Sequence, residues 1–349
     1  RAAKRGNPTK GVDGRTIDGT GESLINELIG MLKDESYQPQ ASRRVYIPKK
    51  NGKRRPLGVP AFRDKLLQEV IRMILEATYE SSFENTSHGF RPKRSCHTAL
   101  KAIQTTFTGV KWFVEGDIKG FFDNIDHDVM INILKERIAD DRFIRLIRKF
   151  LRAGYIENWT FHNTQSGTPQ GGIISPILAN IYLDKLDKYM VMYKNQFDKG
   201  KERKRNPEYR KLEVKRNNVV SKLKTEKNED KKNELVKKLR EIEKERNDIP
   251  YGISLDENYK RIVYQRYADD FLIGVIGSES DSQTVKEEIK QFLLNNLKLE
   301  LSEEKTLITN AKRPAKFLGY DIYVRKSDLP KRDKAGRLVR NYGGRFPLA

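Results

Sequence analysis

The apolar run from Ile262 to Ile276 carries Tyr267-Ala268-Asp269-Asp270 in its middle, and it narrows the fold more than any other stretch of this chain. Val263, Phe271, Leu272, Ile273 and Val275 supply packing for a strand-turn-strand with two adjacent carboxylates at its bend. Two carboxylates about 4 Å apart repel by roughly 4 kcal/mol at an effective dielectric of 20. A fold that gathers them without adjacent basic partners is expected to hold a metal cation. Aspartate is also common in ordinary turns, so these four residues alone leave a plain hairpin open.

The 349 residues suffice for a large core and more than one lobe. Lys and Arg total 69 against 48 Asp and Glu, a formal charge of +21, which points to a polyanionic partner and most directly to nucleic acid. The single cysteine, Cys96, excludes an internal disulfide framework and suits a reducing compartment, so a cytoplasmic location is expected. No apolar stretch approaches the roughly 20 residues of a membrane span.

Along the chain, Glu22–Lys33 reads as a helix, Arg43–Pro48 as a strand, Lys49–Arg55 as a basic turn and Leu57–Pro60 as the returning strand. Asp64 is expected to cap a helix to Tyr79 with Leu66, Leu67, Val70, Ile71, Ile74 and Leu75 facing inward. Trp112–Asp117 reads as a buried strand, 128–151 as helix broken near Asp140-Asp141, and Ile173–Tyr193 as helix. Residues 198–248 turn sharply to Lys, Glu, Arg and Asn, and read as an inserted pair of solvated helices. A basic arm on nucleic acid is the second reading of that insertion, ranked below a merely wet face.

Asp117, in Asp117-Ile118-Lys119-Gly120-Phe121-Phe122-Asp123, emerges where the buried strand ends, and strand ends at one sheet edge are where sites are built. Beside the Asp269–Asp270 bend it would complete a three-carboxylate cluster suited to two Mg²⁺ ions; a helix cap is the alternative. Asp123 reads as a cap or hydrogen-bond partner. Lys49–Arg55 places five cations within seven residues, either a triphosphate clamp or a solvated tip. Gly167-Thr168-Pro169-Gln170-Gly171-Gly172 precedes a helix, either an anion-approaching loop or a plain junction.

These elements in this order resemble the reverse transcriptases encoded by bacterial group II introns, from about Gly11 to Tyr323. The blocks are the Lys49–Pro60 strand-turn-strand, His88-Gly89-Phe90-Arg91-Pro92, the Asp117 block and Thr168 to Pro176. Tyr267-Ala268-Asp269-Asp270, Leu301 to Thr306 and Phe317-Leu318-Gly319-Tyr320 complete them. The resemblance implies an α/β (α+β) right-hand polymerase, with an antiparallel palm sheet flanked by helices and the thumb absent. Fingers would span 1–105 with 126–167, palm 106–125 and 168–325, with a charged insertion over 195–255 and a basic tail over 326–349.

The same resemblance implies the roles. Asp117, Asp269, Asp270 and the Ile118 carbonyl would hold two Mg²⁺ ions, with Mn²⁺ as a substitute. Lys49, Lys53, Arg54 and Arg55 would bind the triphosphate, Gln170 and Gly171 would lie against the nucleotide, and Phe122 would exclude a 2′-hydroxyl. Core packing and a surface position are the bland alternatives for Phe122 and Lys305. Lys305 would protonate departing pyrophosphate as a general acid, and Phe317, Leu318, Gly319 and Tyr320 would grip the primer. The implied partners are an RNA template, intron RNA, a DNA primer and a deoxynucleotide, with no membrane; a homodimer stays open. Without a thumb the chain is expected to fold and bind RNA yet polymerise poorly. A retron or CRISPR-associated reverse transcriptase and a non-catalytic RNA-binding splicing factor are the competing readings.

Overall fold

Alternating side chains along three strands build the centre of the molecule, because successive residues of a strand point to opposite faces. Val114, Ile262, Tyr264, Phe271 and Ile273 enter the larger core on one face. Phe113, Leu272 and Val263 pack into a smaller core on the other. The computed structural model describes residues 9–16, 21–48, 52, 54–157, 160–162, 166–167, 171–249, 251–253, 256–324, 330–332 and 338–340. Lys49, Lys53 and Gln170 lie outside the described residues.

In chain order the elements begin α1 (Glu22–Lys33), β1 (Ser42–Pro48), β2 (Arg54–Val59), α2 (Phe62–Tyr79) and α3 (Cys96–Thr106). There follow β3 (Trp112–Asp117), a single turn α4 (Phe121–Asn124), α5 (His127–Lys135), α6 (Asp141–Arg152), β4 (Tyr155–Glu157) and β5 (Thr160–His162). Next come α7 (Ser175–Phe197), the insertion helices α8 (Pro207–Thr225) and α9 (Glu229–Asp248), β6 (Arg261–Tyr267) and β7 (Asp270–Ile276). The last are α10 (Glu279–Leu297), β8 (Ile308–Asn310), β9 (Ala315–Phe317), β10 (Tyr320–Ile322), β11 (Pro330–Arg332) and β12 (Leu338–Arg340).

The central sheet runs β6-β7-β3-β8 with every neighbour antiparallel. A second sheet, β2-β1-β4-β5, carries the basic hairpin. Helix α7 is buried nearly all round, with Leu178, Ile181, Tyr182, Leu183 and Leu186 fully inside, so it is the spine of the larger core. Helix α3 covers the opposite face through Ala99, Leu100 and Ile103. Among the described residues no helix is long and apolar enough to cross a membrane.

Several sequence expectations need correction. Helix α2 starts at Phe62 behind Ala61, and Asp64 is not its cap: its carboxylate accepts from the Tyr37 hydroxyl (2.6 Å) and the Gln40 N–H (3.0 Å). The inward stripe of α2 is narrower than its apolar pattern, with Leu67, Ile71 and Leu75 buried but Val70 and Ile74 exposed. Asp123 caps neither α4 nor α5, since Gly120 and Asp126 stand at those positions. The break near Asp140 is real, and Asp140 caps α6 through the Arg142 and Phe143 N–H groups. The insertion is the expected helical pair, closed over its own core of Leu212, Val219 and Ile242.

Candidate active site

Antiparallel register brings the expected carboxylates together. Asp117 ends β3, Asp270 begins β7, and the two are direct cross-strand partners; Asp269 occupies the turn just before. Such partners hold their Cβ atoms about 5 Å apart. Burial, then the charges of Asp269 and Asp117, push the Asp270 carboxyl up to about 6. Burial also raises Asp269, with the Asp117 charge adding to it and Arg55 and Lys305 opposing.

A carboxyl raised in the folded state favours folding while protonated, and that stability is lost as pH rises through the folded value. Asp270→Asn should therefore stabilise the metal-free protein at pH 7 by about 1–2 kcal/mol, discounted for partial exposure. The gain should vanish near pH 4, where the wild-type side chain is neutral too. Melting temperatures with chelator at the two pH values check this, and an equal gain at both would refute it.

A basic side chain does adjoin the carboxylates, the one expected as general acid. The Lys305 ammonium lies 2.9 and 3.1 Å from the two Asp117 carboxylate oxygens, and the acids raise its own pKa, the Asp117 hydrogen bond foremost. As the side chains stand, no group of three carboxylates, imidazoles or thiols among the described residues could hold a metal ion. Close register and the absence of a formed cage are reconciled by Lys305, whose ammonium stands where a cation would neutralise Asp117.

The donor set nevertheless fits a hard divalent ion, since it is all oxygen and anionic. Ile118 bridges Leu301, and the bridge is closed by the Lys119 N–H on the Glu300 carbonyl and the Ser302 N–H on the Asp117 carbonyl. In such a pair the middle residue's own carbonyl points away from the partner strand, here to the β7 side.

The turn itself is held from below. Ala268 adopts φ 57°, a left-handed conformation that costs a non-glycine residue energy and persists where neighbours enforce it. Arg266, fully buried, donates to the Ala268 carbonyl (2.8 Å), to both Asp187 oxygens (2.8 and 2.5 Å), to the Ser87 hydroxyl (2.8 Å) and to Asn180 (3.3 Å). All five guanidinium N–H groups are thereby used. Gly89 packs so closely under the turn that a Cβ there would come within 2.4 Å of the Ala268 nitrogen. His88 is wedged between Thr98 (2.9 Å) and Gln265 (2.9 Å). The His88–Pro92 block is thus a brace for the carboxylate turn.

The other expected residues divide into groups. Phe317, Leu318 and Gly319 share a cleft of about 520 Å³ with Asp117, Asp270 and Lys305. Leu318 (φ 54°) and Gly319 (φ 83°) make the tight turn between β9 and β10. Tyr320 and Asp269 do not line that cleft. Arg54 and Arg55 are exposed on β2, and the Arg55 charge reaches Asp269 and Asp270. Phe122 is half-buried, with its ring edge-on to the buried Phe121 at 5.2 Å. Gly171 differs from expectation in what it approaches: at φ 108°, a Cβ there would meet the Gly58 carbonyl at 2.6 Å. Its close neighbour is strand β2 of the basic hairpin.

Arg266, Asp187, Asn180 and Ser87 were not singled out from sequence. The signal was present: Arg266 interrupts an apolar run, and Asn180 and Asp187 fall at helical spacing among the apolar residues of α7 that are buried. A charge at a core position needs a partner.

Comparison with known proteins agrees with this geometry. The family model described as reverse transcriptase (RNA-dependent DNA polymerase) matches residues 47–196 and 234–322. The chain is 52% identical to the group II intron-encoded protein LtrA of Lactococcus lactis subsp. cremoris, over 95% of this chain and 55% of that protein. It is 43% identical to the putative COX1/OXI3 intron 1 protein of Saccharomyces cerevisiae, over 92% of this chain and 37% of that one. Protein YkfC of Escherichia coli is 32% identical over 91% of this chain and 78% of its own length. The chain thus spans about half the length of the LtrA protein it matches. With more than half of its residues matched by the family model, and with the intron-type blocks seen in its sequence, the chain belongs to the reverse transcriptase (RNA-dependent DNA polymerase) family.

Proposed function

We propose that the protein is an RNA-directed DNA polymerase of a group II intron, extending a DNA primer on an RNA template and binding intron RNA. One observation carries this reading: Asp117 and the Asp269–Asp270 turn meet at one end of the central sheet, beside a cleft whose far wall is the Phe317–Gly319 hairpin. The central sheet and α7 form the palm, and the β2-β1-β4-β5 sheet with α1 and α2 forms the fingers. Helix α3, within the 1–105 span that the resemblance gives to the fingers, packs on the central sheet.

Family membership implies dependence on a divalent metal. Held by Asp117, Asp269, Asp270 and the Ile118 carbonyl, two Mg²⁺ ions, or Mn²⁺ in their place, would neutralise charge on the attacking and leaving oxygens. The chain's own residues do the rest. The β9–β10 hairpin holds the primer terminus over the carboxylates, which makes the attack on the deoxynucleotide α-phosphate effectively unimolecular. Arg55, with Arg54, Lys49 and Lys53 as neighbours, draws the triphosphate towards the carboxylates. Lys305, whose ammonium is held at the site by the Asp117 carboxylate, would donate its proton to departing pyrophosphate. Gly171 lets the loop close on β2 of the basic hairpin, Gln170 backs the incoming nucleotide, and the Phe122 ring fills the space a 2′-hydroxyl needs.

Primer extension on an RNA template with Mg²⁺, using deoxynucleotides and ribonucleotides in parallel, tests the reading. Wild-type protein should add deoxynucleotides, and Phe122→Ala should lower discrimination against ribonucleotides by about tenfold or more. Absence of any addition by the full-length protein would refute the polymerase, and undiminished discrimination would place the sugar gate elsewhere.

A further inference from the structure

Positive charge is shared unevenly between the two insertion helices. Helix α9 carries seven basic and seven acidic residues, the mixture of a solvated face, and lies against β12 as well as α8. Helix α8 carries six basic and two acidic residues, and residues 199–206 add five basic to one acidic. Both helices are solvated, but only α8 carries an excess of one sign.

The excess is concentrated. Lys204, Arg205, Arg210, Lys211, Val214 and Lys215 line a cleft of about 790 Å³ in whose wall no acidic residue figures among the described residues. Helical spacing puts Arg210, Lys211, Val214 and Lys215 on one face, while Leu212 and Val219 point to α9. No ion pair among the described residues engages Lys204, Arg210, Lys211 or Lys215, whereas Arg216 on the inner side pairs with Glu243 of α9 (3.1 Å). Arg205 is countered by Glu213 (3.2 Å) and the Lys204 N–H by the Asp256 carboxylate (2.6 Å), but the Arg210, Lys211 and Lys215 side chains have no ion pair among the described residues. Like charges so gathered repel, and a polyanion relieves that repulsion. Lys211 and Lys215 are one helical turn, about 6 Å, apart, the scale of the step between neighbouring phosphates of one strand.

Cation–π stacks surround the root of the insertion. Arg205 stacks over Tyr251, Arg203 and Arg261 over Tyr259, and Arg246 over Tyr209, at 4.3–5.7 Å. The insertion rejoins the palm just before Arg261, and the carboxylates stand beyond the other end of the same seven-residue strand. That separation is about 20 Å. We propose that the α8 cleft binds the phosphate backbone of RNA at a site separate from the primer–template at the carboxylates. The inference rests on the RNA-templated reading only for the choice of RNA over another polyanion.

The test uses the whole protein and a single-stranded RNA, with a DNA of equal length and sequence, titrated by fluorescence anisotropy over a range of salt. Arg210→Gln/Lys211→Gln/Lys215→Gln should lower the slope of log affinity against log salt for RNA by about 2, with affinity at low salt down about tenfold or more. Lys237→Gln/Lys238→Gln/Lys244→Gln on α9 removes the same charge and should change affinity less than about twofold. Nucleotide addition to a short annealed primer–template should be unchanged in the α8 variant. Equal losses in the two variants, or loss of DNA binding with RNA binding retained, would overturn the site. Loss of short-substrate extension in step with RNA affinity would overturn its separateness. A protein that extends no primer yet shows the α8–α9 contrast refutes the polymerase reading and supports this one.

Discussion

Asp117→Asn should abolish nucleotide addition while leaving the fold and RNA affinity in place. The substitution keeps the shape of the side chain and removes one of the three charges that converge at the end of β3 and β7. Its structural cost is small, because the ion pair it breaks is with a lysine side chain that is 66% exposed. Exposed pairs of that kind are worth about 0–1 kcal/mol. Its catalytic cost is large, because charge placed ahead of the transition state carries most of the rate enhancement in such sites. A loss of about a thousandfold or more, some 4 kcal/mol, is expected in single-turnover primer extension. Retained activity within about tenfold of wild type would remove Asp117 from the site. Affinity for single-stranded RNA, measured in the same preparation, should be unchanged, since the basic surface is elsewhere.

The elements legible in the sequence were those in which pattern and packing coincide. The β6–β7 hairpin, β3, the broken α5–α6 pair and the insertion lie close to where periodicity and turn residues place them. Helix α2 shows the limit: its six apolar positions make a wide stripe, and only tertiary contact decides that Val70 and Ile74 remain exposed. Within the site, Asp117 opposite Asp270 was legible because strand ends and turns carry recognisable residues. The support of the turn was not, because Arg266 meets Asp187 and Asn180 of α7 and Ser87 of another segment far away in sequence. The Lys305–Asp117 pair lay equally beyond reach, since those residues are joined by tertiary structure across 188 positions of sequence. Local pattern locates acids and turns; it does not say which cation neutralises them.

Arg266→Met should be among the most destabilising single substitutions in the palm, and its partner substitution should separate stability from activity. Both side chains of the Arg266–Asp187 pair are fully buried, so removing one leaves an uncompensated charge in the core. Breaking such a pair costs about 3–5 kcal/mol, whereas replacing both members with apolar residues of similar volume is often close to neutral. Arg266→Met/Asp187→Leu should therefore recover much of the urea midpoint lost in Arg266→Met, short of the full value because the Tyr264 hydroxyl also loses its acceptor. Activity should not recover with it. The Arg266 N–H on the Ala268 carbonyl holds a left-handed residue directly before Asp269, and neither methionine nor leucine can replace that donor. Free to relax, the turn loses the angle at which Asp269 and Asp270 face Asp117, and positional errors of about 1 Å cost on the order of a hundredfold in rate. Urea unfolding and primer extension on the two variants separate the roles: a stable double variant that polymerises at the wild-type rate would show that the turn keeps its shape unaided and that Arg266 serves only the core.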